Sequence, residues 1–322
     1  MHHLANQVSK FHETIVLPPT QVRNSPFSDP RFDFLSITLL RKLRATKPDV
    51  IHYVPSSGLT PASLIRARTL AKYAGTPKLV ISCLQLSSKH FFRKITSAIK
   101  PDLVLVQSHK TADTLTRLGL ETKPLPNGVD ISKFCPASSD AKSSLRKKFG
   151  LGNEFIILHV GHIKDGRGLE ALHNLSNKGA KLILVGSTST RLDKRVAREL
   201  VESGGVIWRD YFSNIEEIYN LADCYVFPTL NPSACIEIPL SVLEAMSCNL
   251  PVVSTGFGGL PEIFEQGDGL FFAANEGEIL NAIGALRSTD GAVKTRQKVI
   301  PYSWERVGET LSAIYNELEG PN

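Results

Sequence analysis

The run ADCYVFPTLNPSACIEIPLSVLEAMSCNLPVVSTGFGGLPEIF, residues 222–264, decides the fold. It opens with an apolar strand (CYVFPT, 224–229), passes through an extended loop, and enters a helix from Leu240 to Ser247 behind Pro239. A second strand (PVVST, 251–255) and a glycine turn follow, with Pro261 set to start the next helix. Proline suits a first helical position, where its missing N–H costs nothing, so Pro239 leaves the chain extended before it and helical after it. A strand, a crossover helix and a second β-branched strand make a parallel βαβ unit. Glu244 falls inside the helix and Glu237 just outside its start. The rise from Pro239 to Glu244 is about 7.5 Å, so the two carboxylates can grip different parts of one extended ligand. Carboxylates accept hydrogen bonds from vicinal hydroxyls such as those of a ribose or hexose; the plainer reading of Glu244 is a helix surface acid.

The same alternation extends outward in both directions. The second half offers strands at 155–160, 181–185 and 206–208, with helical patterns over Leu169 to Asn177, Leu192 to Glu202 and Ile215 to Ala222. The first half offers strands TIVLPP (14–19), DVIHYV (49–54), KLVIS (78–82) and LVLVQ (103–107). The expected fold class is α/β, with two Rossmann-like doubly wound domains. A charge shift and the segment SKFCPASSDAKSS (132–144) set a boundary near residue 138: an N-terminal domain over 1–138 and a C-terminal domain from 139.

Composition narrows the class. The 322 residues are 42% hydrophobic and 21% charged, as in a soluble globular protein. No apolar run has the length of a membrane span, and the N-terminus lacks the apolar core of a secretory signal, so the expected address is cytoplasmic. The five cysteines show no CxxC pair or metal-ligand spacing and are expected to be buried free thiols. The net charge of +6 is uneven: residues 1–135 hold 19 Lys and Arg against 8 Asp and Glu, the remainder 18 against 23. A basic first half suits a phosphorylated or membrane-surface partner, or is simply a solvated face.

An open parallel sheet binds ligands beyond the carboxyl ends of its strands. After FIILHV comes Gly161-His162-Ile163-Lys164-Asp165-Gly166-Arg167-Gly168, where glycines let backbone approach a phosphate and cations add charge at a helix start. After KLILV comes Gly186-Ser187-Thr188-Ser189-Thr190, and after PVVST comes Gly256-Phe257-Gly258-Gly259. Together with the loop carrying Glu237, they describe a binding cleft at one sheet edge.

The 222–264 segment resembles the donor-site signature of glycosyltransferase family 4, the retaining group 1 transferases with two facing Rossmann-like domains (GT-B type). That signature is a Glu, seven residues, then Glu-Ala-Met, a PVV strand and a Gly-Gly turn. Pro126-Asn127-Gly128-Val129-Asp130 with Phe134 is similar to the family's interdomain segment, and PYSWERVGETLSAIY (301–315) to its closing helix, which crosses back to the first domain; the resemblance thus implies a C-terminal domain over 139–300 and a closing helical segment over 301–322. The resemblance implies that Glu244 holds the donor ribose and that Gly258 and Gly259 lie near the donor sugar and phosphates. It implies that Arg167, where the family usually has a lysine before glycine, contacts the donor diphosphate. Gly161 opens that loop; His162 stands where the family has an arginine, with Lys164 as its substitute. Arg167, Glu237 and His162 are thereby the candidate catalytic groups, a cation there stabilising charge on the leaving diphosphate. The family generally needs no metal for this, and the chain has no DxD motif.

Departures matter as much. Six residues separate Glu237 from Glu244, and the position eight before Glu244 is Ile236. The family's histidine after the strand matching KLVIS is replaced by Ser82-Cys83-Leu84-Gln85. His109 follows another strand and is the acceptor-side candidate; His52 reads as structural. The opening HHLANQVSKFHETIVLPP (2–19) is similar to the helix after the family's first glycine-rich loop and then its second strand, so the first strand and loop are expected to be missing. A start placed too far downstream, a true truncation, or a rebuilt acceptor side would each account for it.

The segment LSSKHFFRKITSAIK (86–100) interleaves cations with phenylalanine and isoleucine. It suits peripheral contact with an anionic membrane on the inner face, or an ordinary packed amphipathic helix. The leading reading is a retaining transferase moving a hexose from a nucleoside diphosphate sugar to a glycan, lipid or lipid-linked acceptor. The alternatives are a non-catalytic nucleotide-sugar binder or partner subunit, and a hydrolase or epimerase on the same scaffold. No GxGxxG follows an opening strand, which disfavours a dehydrogenase, and no nucleic-acid module is present.

Overall fold

The computed structural model describes residues 2–17, 36–55, 58–86, 99–173, 175–176, 179–288 and 291–320. They divide into two compact units: residues 1–126 with 304–322, and residues 127–303.

The first unit carries a parallel sheet in the order β1-β2-β3-β4: β1 (Val50–Tyr53), β2 (Lys78–Cys83), β3 (Leu103–Val106) and β4 (Thr122–Pro124). β2 and β3 are apolar runs buried along nearly their whole length, the pattern a parallel sheet covered on both faces demands. The helix Pro61–Tyr73 crosses from β1 to β2, opened by a capping box between Thr60 and Ser63 with Pro61 in its first turn. The other face is covered by the helices His2–Val8 and Trp304–Glu319. Leu4 and Val8 join Val307, Leu311, Ile314 and Tyr315 in one core over Val80, Leu103 and Leu105. Gly308 permits that contact, since a Cβ there would lie 2.4 Å from Cβ of Gln7.

The second unit holds a parallel sheet in the order β10-β9-β8-β5-β6-β7. Its strands are β5 (Phe155–Gly161), β6 (Ala180–Gly186), β7 (Val206–Trp208), β8 (Cys224–Phe227), β9 (Val252–Thr255) and β10 (Leu270–Ala273). Strand order reverses between β5 and β8. Asp223 anchors that point from below: it accepts from the Ile156 N–H at 2.7 Å, Lys142 at 2.7 Å and Arg146 at 2.5 Å.

Several expectations need correcting. The boundary lies at 126/127 rather than 138, because residues 127–138 are pinned to the second unit. Phe134 joins its core, the Phe134 carbonyl accepts from Ser247 Oγ at 2.5 Å and Arg296 at 2.9 Å, and Asn127 donates to the Ile238 carbonyl at 2.7 Å. At the other end the second unit runs to Ser303, past the expected 300. Thr14 to Leu17 is not a strand, and residues 18–19 lie outside the described residues. The helix expected over 169–177 is a short 3₁₀ turn, Leu169–Leu172, entered through Gly168 at φ 70°. Helix Lys194–Glu202 begins after Asp193, whose carboxylate caps it by accepting from the backbone of Arg195 and Val196. Pro239 is itself the cap residue, with the helix starting at Leu240. Of the cysteines, Cys83, Cys224 and Cys248 are buried, whereas Cys135 is exposed and Cys235 partly so. The basic segment falls mostly on residues 87–98, outside the described residues.

Candidate donor-binding site in the second unit

The carboxyl ends of β5, β6, β8 and β9 bring their following loops to one edge of the second sheet. The β5 loop is built to lie close to β8. Gly168 has φ 70°, and a Cβ there would sit 2.3 Å from the Pro228 carbonyl oxygen. Thr229 Oγ1 donates to the Arg167 carbonyl at 3.0 Å, fastening the two loops together. Arg167 is thereby buried, with 6% of its surface exposed. Its Nε has no hydrogen-bond partner, and among the described residues it forms no ion pair, although its side chain hydrogen-bonds towards the Cys235 thiol. A buried guanidinium without a carboxylate is an unbalanced charge, costly unless an anion supplies the balance.

The surrounding groups register that charge. His162 is partly buried and its pKa is lowered, first by burial and then by the charges of Arg167 and Lys164. Lys164 is exposed on the same loop, and Gly161 closes β5 in register with Gly186. Burial pushes the Cys235 thiol up, with Arg167 and Lys164 pulling the other way.

Glu237 and the glycine turn after β9 form a second part of the edge. The Gly259 N–H donates to the Glu237 carbonyl at 3.0 Å, and Gly258, at φ 56°, packs against the same carbonyl. Glu244 forms a third part. Its carboxylate accepts from the Tyr219 hydroxyl at 2.7 Å, across from helix Leu240–Ser247 to helix Ile215–Leu221. Burial raises its pKa, against the opposing pull of that hydrogen bond and of Lys133. Glu244 is therefore held in place across the two helices.

The edge thus gathers Gly161, His162, Lys164, Arg167, Glu237, Gly258 and Gly259, with Glu244 on the helix behind them. His109 is not among them: it lies in the first unit, exposed, at the start of helix His109–Arg117. Among the described residues no group of three or more His, Cys, Asp or Glu side chains is placed to hold a metal ion. None of the described helices is long and apolar enough to cross a membrane. The sequence reading passed over His159, Tyr219, Lys133 and Cys235. The signal for His159 was present, a lone imidazole inside an apolar strand two residues before the loop glycine.

The architecture is that of the GT-B glycosyltransferases, two α/β units with parallel sheets. Anabaena HepE in complex with UDP superimposes with a TM-score of 0.70 at 18% identity, over 89% of this chain and 84% of that one. Sucrose-phosphate synthase from Thermosynechococcus elongatus gives 0.70 at 19% identity, over 92% and 82%. Residues 154–288 match the family described as Glycosyl transferases group 1. Among curated relatives, a GDP-mannose-dependent monoacylated α-(1-6)-phosphatidylinositol monomannoside mannosyltransferase of Corynebacterium glutamicum is 26% identical, over 59% of this chain and 55% of its own length. Sulfoquinovosyl transferase SQD2 of Arabidopsis thaliana is 25% identical, over 82% and 54%. The chain spans about half the length of the curated relatives it matches.

Proposed function

We propose that the protein is a retaining, metal-independent glycosyltransferase that moves a hexose from a nucleoside diphosphate sugar to an acceptor hydroxyl. The observation that carries this reading is Arg167, a buried cation with no ion pair among the described residues, at the end of the sheet where such folds take ligands. In the reaction the bond from the sugar's anomeric carbon to the diphosphate breaks. A new bond to the acceptor oxygen forms on the same face, and the acceptor hydroxyl's proton passes to an oxygen of the departing diphosphate. Negative charge grows on the leaving diphosphate, and Arg167 with Lys164 stabilises it where it develops. A neutral His162 hydrogen-bonds beside them. Glu244 accepts from the ribose hydroxyls, and Glu237 and the Gly258–Gly259 turn line the sugar.

The UDP and UDP-glucose held by the HepE structures support a nucleoside diphosphate sugar as donor. The phosphatidylinositol mannoside in the name of the Corynebacterium relative supports a lipid or lipid-linked acceptor. Residues 86–100 are the segment to test against anionic vesicles by flotation.

The deciding experiment titrates the protein with UDP-, GDP- and ADP-sugars and follows binding, nucleoside diphosphate release and transfer. Arg167→Ala and Glu244→Ala are each expected to weaken donor binding at least about tenfold, the worth of one charge-assisted hydrogen bond. Unchanged binding in both variants would refute the assignment, and release without an acceptor would identify a hydrolase. A second reading, a nucleotide-sugar binder without transfer, rests on Ile236, which stands where the family signature has its first glutamate.

A further inference from the structure

The ladder between β5 and β8 is only two pairs long, Ile157 with Cys224 and Leu158 with Tyr225. Beyond it β5 continues beside β6 as far as Gly161, and β8 beside β9 as far as Phe227, so the two strands part where the strand order reverses. Side chains span the opening in place of backbone. The Tyr225 hydroxyl donates to the Val160 carbonyl at 3.3 Å, and His159 Nδ1 bonds the Val226 carbonyl at 2.9 Å. A carbonyl only accepts, so Nδ1 carries the proton and Nε2 presents a bare lone pair.

That lone pair is placed beneath the phosphate loop. His159 is fully buried, its Nε2 has no hydrogen-bond partner among the described residues, and a Cβ on Gly161 would lie only 3.1 Å from it. Arg167, at the far end of the same loop, is also buried and has an Nε–H without a partner. One buried acceptor at the end of β5 and one buried donor in the loop that follows it thus stand unsatisfied, where native structures leave few such groups. The charge of Arg167 reaches the His159 ring and, after burial, helps lower its pKa to about 4, so the ring is neutral at physiological pH.

We propose that His159 is a positioning residue for the diphosphate site, its Nε2 accepting the Nε–H of Arg167 when a nucleoside diphosphate is bound. The inference rests on the donor-site reading of Arg167 given above. With Nε held from behind, the remaining N–H groups of the guanidinium form a fork aimed at phosphate oxygens. A neutral imidazole suits this task better than a carboxylate, because it orients the guanidinium without cancelling the charge offered to the ligand.

The test is a double-mutant cycle in the full chain, read by calorimetric titration with UDP, GDP and ADP. Arg167→Lys keeps the cation and loses the Nε–H; His159→Phe keeps the ring and loses the lone pair. Each is expected to weaken the bound nucleotide at least about tenfold, and His159→Phe to add little in the Arg167→Lys background, where no Nε–H remains for the imidazole to hold. Additive losses, about a hundredfold in the double variant, would leave His159 as a strut between strands and overturn the proposal. Should His159→Phe not fold, the imidazole ¹⁵N resonances of the wild-type protein decide: the Nε2 signal is expected to shift on nucleotide binding, and an unmoved signal overturns the proposal. Wild-type protein that binds none of the three nucleotides would instead refute the donor-site reading, and this inference with it.

Discussion

A side chain at position 258 has nowhere to go. The residue holds φ 56°, and a Cβ would stand 2.1 Å from the Glu237 carbonyl oxygen and 2.8 Å from its Cα. The glycine pair that the sequence suggests as a sugar contact therefore also seats the loop that carries Glu237. Gly258→Ala is expected to cost more than about 2 kcal/mol, through left-handed strain and backbone collision together. Gly256→Ala, which meets only Cγ of Pro261 at 3.6 Å, should stay within roughly 0.5 kcal/mol. Urea unfolding of the two variants checks both. Much of this site was legible at the residue level, because glycines and acids beside strand ends carry a chemical meaning of their own. What stayed hidden depends on partners distant in sequence. The Tyr219 hydroxyl on Glu244 joins two helices, and the His159 bridge to Val226 becomes visible only once β5 and β8 are known to part.

Among the elements, the helix Trp304–Glu319 is the one whose place in the chain says least about its place in the fold. It follows the second unit in sequence and belongs to the first, laying Val307, Leu311 and Ile314 against β2 and β3. Leu311 is 1% exposed, so Leu311→Ala is expected to destabilise the first unit by about 2–5 kcal/mol. In a denaturant titration its unfolding should shift while that of residues 127–303 does not. Elements were read well from sequence where an apolar strand runs into a capped helix, as from Cys224 to Ser247. They were read poorly where they are short. β4 has three residues, one of them Pro124, and β10 follows a Gly-Asp-Gly turn that masks its four apolar residues. The 3₁₀ turn at Leu169–Leu172 stops short because His173, with Asn174 and Ser176 just after it, has little helical preference.

At the scale of the whole molecule, each unit holds a histidine whose surroundings keep it neutral. In the second unit it is His159. In the first it is His52, which bonds Tyr315 at 2.6 Å and Ser82 at 2.7 Å and so ties the last helix to β1 and β2. Burial lowers both rings from the ordinary 6.5 to about 4. Below pH 6.5 the unfolded chain takes up a proton that the folded ring refuses, so stability is full above that value and falls as pH drops towards 4. Each histidine adds a slope of up to about 1.4 kcal/mol per pH unit in that window. Unfolding free energies at pH 7 and pH 5 should show the loss in both units. In His52→Phe the first unit should lose its share of the pH dependence and the second retain it.

One detail of the second unit bears on how the protein can be handled. Val129, near its entry, pairs in parallel with Ser303 at its exit, and the Val129 N–H donates to the Tyr302 carbonyl at 3.0 Å. The chain thus leaves this unit beside the point where it came in, as a cassette does from its socket. Residues 127–303 can be exchanged as a block for the matching block of a similar protein, or circularly permuted by joining the two ends with a short linker. On the donor-site reading proposed above, nucleotide-sugar preference is expected to travel with the cassette.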